Sequence, residues 1–290
     1  MPFGTGANAN VLSNADYQVL SARVSGFSSG VAKSEELNSA WRQGSVMAAV
    51  LGQFIADNSG NDVLDNGNLV ALQNSLLAAL SAQAVGRLLN IRVFTASGTY
   101  TPTPGTKKIR IKVWGAGGAG GGTQAVSTTQ AAVGGGATAG AYAESFIDIA
   151  GPLPVTIGQG GVGSSGADGS NGGVSSVGGV SAPGGIGGAL GVSNDTFPFG
   201  TQPRNPTVGV SGNIINAPGN SASTGFTWSA AGAIRSMGGQ SSVGASQYSS
   251  ASVGYAAGGS GAIAAGGAGI VAALAGYNGS PGLAIIEEYA

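Results

Sequence analysis

The sequence predicts a mixed fold: an α-helical N-terminal region, residues 1–86, followed by a mainly-β, glycine-rich domain, residues 87–290. Three observations predict it. Of 56 glycines, 11 precede residue 115 and 45 lie from that residue onward, so glycine is concentrated in the second part. That glycine-rich tract is bracketed by two ordinary strand sequences, residues 108–114 and 283–289, which a merely disordered tail would not need. Before residue 86 the apolar residues instead recur at helical spacing.

Composition narrows the function classes. Charged residues are 8% of the chain, against a usual ~25%. Net charge is −1 with 42% apolar residues, so disorder driven by charge is excluded. A near-neutral chain has no general pull toward nucleic acid or anionic membrane. Cysteine is absent, which removes disulfides and thiolate sites and leaves the redox compartment open. Histidine is absent too, and with it the usual general base, metal ligand and pH switch. The first residues lack the basic-then-apolar layout of a signal peptide. The longest apolar stretch, residues 46–55, falls short of the ~20 residues that span a bilayer. The expectation is a soluble protein made in the cytoplasm.

The first helix is expected to begin at Ser34, a candidate cap, with Glu35 and Glu36 in the first turn where the helix dipole favours negative charge. Leu37, Trp41, Met47, Leu51, Phe54 and Ile55 then fall mostly on one face. Gly44 and Gly52 each weaken it by about 1 kcal/mol relative to alanine. Residues 58–61 break it, and a second helix starts near Asp65 or Asn66. Its Leu69, Leu72, Leu76 and Leu80 form a narrow stripe resembling a short coiled-coil seam. Two helices make a thin core for a monomer. Either the region packs on itself, or copies of the chain complete a bundle through Trp41 and the leucine stripe.

Strands are expected at 89–94, with Leu89, Ile91 and Val93 alternating, and at 108–114. In the latter Ile109, Ile111 and Val113 face a core, while Lys108, Arg110 and Lys112 make a solvated basic face. Pro102 and Pro104 make the connection between them a sheet edge or loop. Further strands fit residues 140–149 and 153–157. From 158 to 282 the pattern dissolves into Gly, Ala, Ser and Val without the strict three-residue period of collagen. The expectation there is a set of extended, left-handed segments with three residues per turn. They would run side by side and bond N–H to C=O between neighbours.

Residues 115–120 spell G-x-G-x-x-G directly after a strand, the dinucleotide-binding spacing. No apolar stripe at helical period follows, and Glu144, at the distance of a ribose-binding acid, sits on a strand. The motif is therefore read as a product of glycine density, and no cofactor or metal is expected. Between residues 116 and 286 the charged side chains are Glu144, Asp148, Asp168, Asp195, Arg204 and Arg235. Asp168 and Asp195 read as turn residues, and Glu287 and Glu288 as partners of the basic strand face. So few carboxylates argue against glycosidic cleavage, and the chain is not expected to be an enzyme. Phe197, Phe199, Phe226, Trp228, Tyr248 and Tyr255 stand out in the glycine-rich loops. They either plug satellite cores or form a contact surface.

Two blocks carry a family resemblance. Residues 25–44, with Phe54-Ile55-Ala56-Asp57 and residues 62–69, resemble the N-terminal region of tailed-phage and prophage tail-fibre proteins. Residues 87–105, with Val113-Trp114-Gly115-Ala116-Gly117-Gly118 and the ending from Pro281 to Tyr289, resemble their glycine-rich C-terminal domain. The resemblance implies a homotrimeric fibre or spike in the virion, joined to tail or baseplate proteins by its N-terminal end. Its distal domain would be a β-sandwich carrying polyglycine-II-like segments, whose loops touch a bacterial surface receptor, a polysaccharide or outer-membrane protein. On that reading the six loop aromatics are receptor contacts, and the leucine stripe with Trp41 is the trimer contact. The chain is short for a fibre, and no shaft repeats are visible. A structural tail-tip or decoration protein without host contact is the alternative.

Overall fold

A computed structural model describes residues 2–27, 29–31, 33–64, 66–84 and 86–290. Among these, helices occupy one unit, Met1–Val85, and strands the other, Gly86–Ala290.

In the N-terminal unit α1 (Asn14–Val19) and α2 (Ala22–Ser25) precede two longer helices, α3 (Ser34–Ser59) and α4 (Leu69–Gln83). Ser34 does not cap α3: Lys33 is the flanking residue, and the Ser34 hydroxyl instead accepts from Asn10 Nδ2 at 2.8 Å. The N-terminal segment lies on α3, where Ser39 Oγ accepts from Leu12 N–H at 2.8 Å and Phe3 meets Trp41 edge-on. Gly60, in the left-handed conformation, ends α3, as residues 58–61 predicted. Asn68 caps α4 through Ala71 N–H at 3.0 Å, so the helix starts later than the sequence suggested. The alternative start at Asp65 lies outside the described residues. The buried residues of these helices are Ser39, Ile55, Ser75 and Ala79. Leu69 and Leu72 of the stripe border an open groove with Leu51, Gly52 and Ile55 of α3 and are not closed into a seam. Leu69, Leu72 and Leu80 are exposed, Leu76 is half-buried, and Trp41, Met47 and Leu51 are exposed on α3.

The C-terminal unit is a sandwich. One sheet runs in the order β1 (Leu88–Phe94), β16 (Leu283–Tyr289), β3 (Lys108–Trp114), β5 (Tyr142–Asp148), β10 (Ile215–Ala217). Its pairings are all antiparallel. The second runs β2 (Gly98–Tyr100), β6 (Leu153–Thr156), β7 (Ser175–Val177), β8 (Val180–Ala182). Between them Ile109, Ile111, Val113 and Ile286 from the first pack on Tyr100, Val155, Val177 and Val180 from the second. The period-2 reading of β3 therefore holds, and Pro102 and Pro104 lie just beyond β2, an edge strand.

One strand reading is completed and one changes. Ile91 and Val93 are exposed, so the alternating apolar face of β1 points away from the core. Glu287 and Glu288 do not share a face. Glu287 joins Lys112 at 2.5 Å on the outer face, whereas Glu288 is fully buried in the sandwich, facing Ile109 in register. Its Oε1 accepts from Thr103 N–H at 3.3 Å, and Arg92 Nε stands 4.0 Å away. Strict alternation makes the split unavoidable for adjacent strand residues.

Between these sheets' ends the glycine segments form a lattice. Residues 115–123 run through its middle. The N–H groups of Gly115, Gly118 and Gly121 donate to Ala141, Thr138 and Gly135 at 3.0, 3.2 and 2.8 Å. Those of Ala116, Ala119 and Gly122 donate to Gly173, Ser170 and Ala167, and those of Gly117, Gly120 and Thr123 to Ser280, Tyr277 and Leu274. Every third residue faces the same neighbour, which is the three-residue turn of a polyglycine-II segment. Its carbonyls accept in return from Gly185, Gly188 and Gly191, from Gly259 and Ala262, and from Gly161. Six segments thus surround the central one, which is where the G-x-G-x-x-G motif lies, and no helix starts in or after the motif among the described residues.

The remaining strands are short and sit on this lattice. They are β4 (Ala131–Val133), β9 (Phe199–Gly200), β11 (Phe226–Ser229), β12 (Gly232–Ile234), β13 (Gly244–Ala245), β14 (Val253–Gly254) and β15 (Ile263–Ala265).

Candidate functional site

The lattice positions the loops that carry the aromatic residues. β11 pairs with β12 and β9, forming a three-stranded sheet. Alternation buries Thr227 and turns Phe226 and Trp228 to solvent, 41% and 55% exposed. Ile234, in register with Phe226 on β12, joins them at 50%. The Trp228 ring lies over Gly232, where any side chain would strike the indole. Phe199, on β9 in register with Thr227, stacks with Phe197 at 5.7 Å between ring centres, and both are half-buried.

The other two aromatics part company. Tyr248 is exposed and lies 5.5 Å from the Arg235 guanidinium, which Tyr277 approaches from its own ring at 5.0 Å. Arg235 Nη1 also donates to the Gly261 carbonyl. Tyr255 is half-buried in a satellite cluster with Trp114, Leu283 and Tyr142, over which Trp114 Nε1 donates to Ser242 Oγ at 2.9 Å. The structure therefore puts Phe226 and Trp228 on one face of this sheet and Phe199, stacked on Phe197, on the opposite, Thr227 face, while Tyr248 packs on Arg235 and Tyr255 in the Trp114 cluster. Neither the exposure of Ile234 nor the half-buried place of Arg235 between two tyrosine rings was legible. Ile234 has no readable strand pattern around it, though an isolated arginine in an almost uncharged tract was a signal for Arg235.

The basic face of β3 is neutralised by its neighbours. Lys108 pairs with Asp148 at 2.7 Å, Lys112 with Glu287 at 2.5 Å, and Arg110 with Glu144 on β5. Burial pushes the Glu287 carboxyl up. Hydrogen bonds from Lys112 and Tyr289, with the charges of Lys112 and Arg110, outweigh it and hold the group below its ordinary value. Burial and the Glu144 carboxylate push the Tyr142 phenol well up. These are cross-strand ion pairs on a sheet face, and their charges are spent on one another.

Among the described residues no three His, Cys, Asp or Glu side chains gather to hold a metal ion. No helix among them is long and apolar enough to cross a membrane. The outward side chains of the glycine-rich loops include apolar rings, amides and hydroxyls.

The family described as a glycine-rich domain matches residues 94–288, from the last residue of β1 into β16. No curated protein matches the chain.

Proposed function

The chain belongs to that glycine-rich domain family, and from this premise we propose that it is a phage tail fibre or spike protein. Its helical unit would associate in threes and attach to tail or baseplate proteins. Its distal domain would bind a receptor on the bacterial surface, with the virion as its place of action. The observation that carries the reading is the outward face of Phe226, Trp228 and Ile234, held on a lattice whose backbone bonds leave the loops little freedom. Aromatic side chains held on a short strand lose little entropy on binding, which suits adhesion. The exposed leucines of α4 favour the association, because they stay uncovered in one chain. Three copies raise avidity without a new kind of contact.

The test is saturable binding of the labelled full-length protein to a panel of bacterial strains. Some strains should bind it and lose binding when one surface component is removed. Trp228→Ala with Phe226→Ala should weaken binding at least tenfold while the thermal transition stays in place. A folded protein that binds no strain would favour the structural tail-tip or decoration reading instead.

A further inference from the structure

A cleft of about 850 Å³ opens between residues 186–194 and the loop 199–205. This lies within the usual small-molecule range of ~300–1,000 Å³. One exposed carboxylate bridges the two walls. Asp168 Oδ1 accepts from Leu190 N–H at 2.7 Å on the first wall, and Oδ2 from Arg204 Nη2 at 3.1 Å on the second. Each wall is also tied to the scaffold. Thr201 N–H donates to the Gly225 carbonyl at 2.9 Å, and Gly225 N–H returns a bond to Thr201 Oγ1 at 2.8 Å. On the opposite side Asn194 and Ala131 exchange backbone bonds at 2.9 Å. Asp168 is thus a clamp across the cleft as well as a turn residue.

We infer that this cleft binds a neutral oligosaccharide. The inference rests on reading the distal domain as the receptor-binding part. Ser193, Asn194, Gln202 and Asn205 line it with hydroxyls and amides, groups that both donate and accept, as sugar hydroxyls do. Gln202 and Asn205 are exposed. Phe199 and Val192 add apolar surface for the C–H faces of a pyranose ring. Arg204 is the charged residue of the lining, and Asp168 neutralises it, so an anionic sugar gains nothing over a neutral one. A peptide strand is poorly served, because the adjoining sheet edge, β9, is two residues long.

The full-length protein is probed on an array of neutral and acidic bacterial oligosaccharides, and on intact cells treated with periodate or with protease. Neutral glycans should bind. Gln202→Ala with Asn205→Ala, and separately Val192→Trp to fill the cleft, should each weaken that binding tenfold or more with the unfolding transition unchanged. Cell binding should fall in parallel, vanish after periodate and survive protease. An empty array, binding confined to acidic glycans, or unaltered binding by both variants overturns the cleft. Cell binding that survives periodate and both variants overturns it while leaving receptor binding intact. A positive array, lost in both variants, without cell binding supports the cleft and overturns receptor binding.

Discussion

At Gly117 a methyl group would land on the carbonyl of Ala257, and at Gly120 on that of Ser260. The obstacle in both places is a neighbouring backbone already bonded into the lattice, so it cannot swing aside as a side chain would. Glycine is required there by distance between chains, and a turn plays no part. Gly117→Ala should therefore lower stability by about 3 kcal/mol or more in denaturant unfolding, at the upper end for overpacked sites. Gly179→Ala, whose added carbon meets nothing within 4 Å, should change it by less than about 0.5 kcal/mol. Equal effects would mean that the segments are not packed as described. The sequence shows that both residues are glycine but not which has a neighbour, since the partner of Gly117 lies 140 positions away at Ala257. Glu287 and Glu288 are a different case. Their adjacency on a strand already required opposite faces, and only the depth of the Glu288 pocket needed the fold.

Elements divide by how much of their pattern is local. β3 alternates apolar and polar residues, so its strand, face and approximate length were legible, whereas β16, Leu-Ala-Ile-Ile-Glu-Glu-Tyr, declares a strand without saying which residues face the core. β1 alternates too, but its apolar face looks outward because its partner β16 places Arg92 beside buried Glu288. Alternation gives a face without saying which side the second sheet covers. The lattice segments have neither period, and their order comes from hydrogen bonds to other segments. Amides of residues 115–123 should consequently exchange as slowly as those of β3 in a hydrogen-exchange experiment, although no helix or long strand contains them. Exchange within seconds would remove the lattice. The same dependence explains the aromatic surface. Phe226 and Trp228 were visible as unusual residues in glycine-rich loops, but their shared face and the addition of Ile234 follow from pairing between β11 and β12.

For the whole molecule, the two units differ in what they leave uncovered. The C-terminal unit closes a core of Ile109, Ile111, Val113 and Ile286 between two sheets, although Ile91, Val93 and Ile234 stay exposed, whereas the helices bury little and leave Leu69, Leu72, Leu80, Met47 and Trp41 exposed. Burying a leucine is worth about 1.5–3 kcal/mol, so association of the helices has a ready driving force. Light scattering should give a trimer for the full chain. Leu72→Glu with Leu80→Glu should weaken association at least tenfold per leucine without moving the unfolding transition of the C-terminal unit. A stable wild-type monomer would defeat the proposal. The sequence by itself determined the division into a helical and a glycine-rich β unit, the strands that bracket the second, and the poverty of groups for chemistry. Those properties are written in local periodicity and composition. Tertiary structure alone decided that residues 115–123 sit at the centre of a lattice, that Asp168 clamps a cleft, and which aromatics share a surface. The reason is physical: a segment of Gly, Ala and Ser has no side-chain pattern to declare its neighbours. Its place is set by backbone hydrogen bonds that must be satisfied and by which chains can approach closely enough to make them.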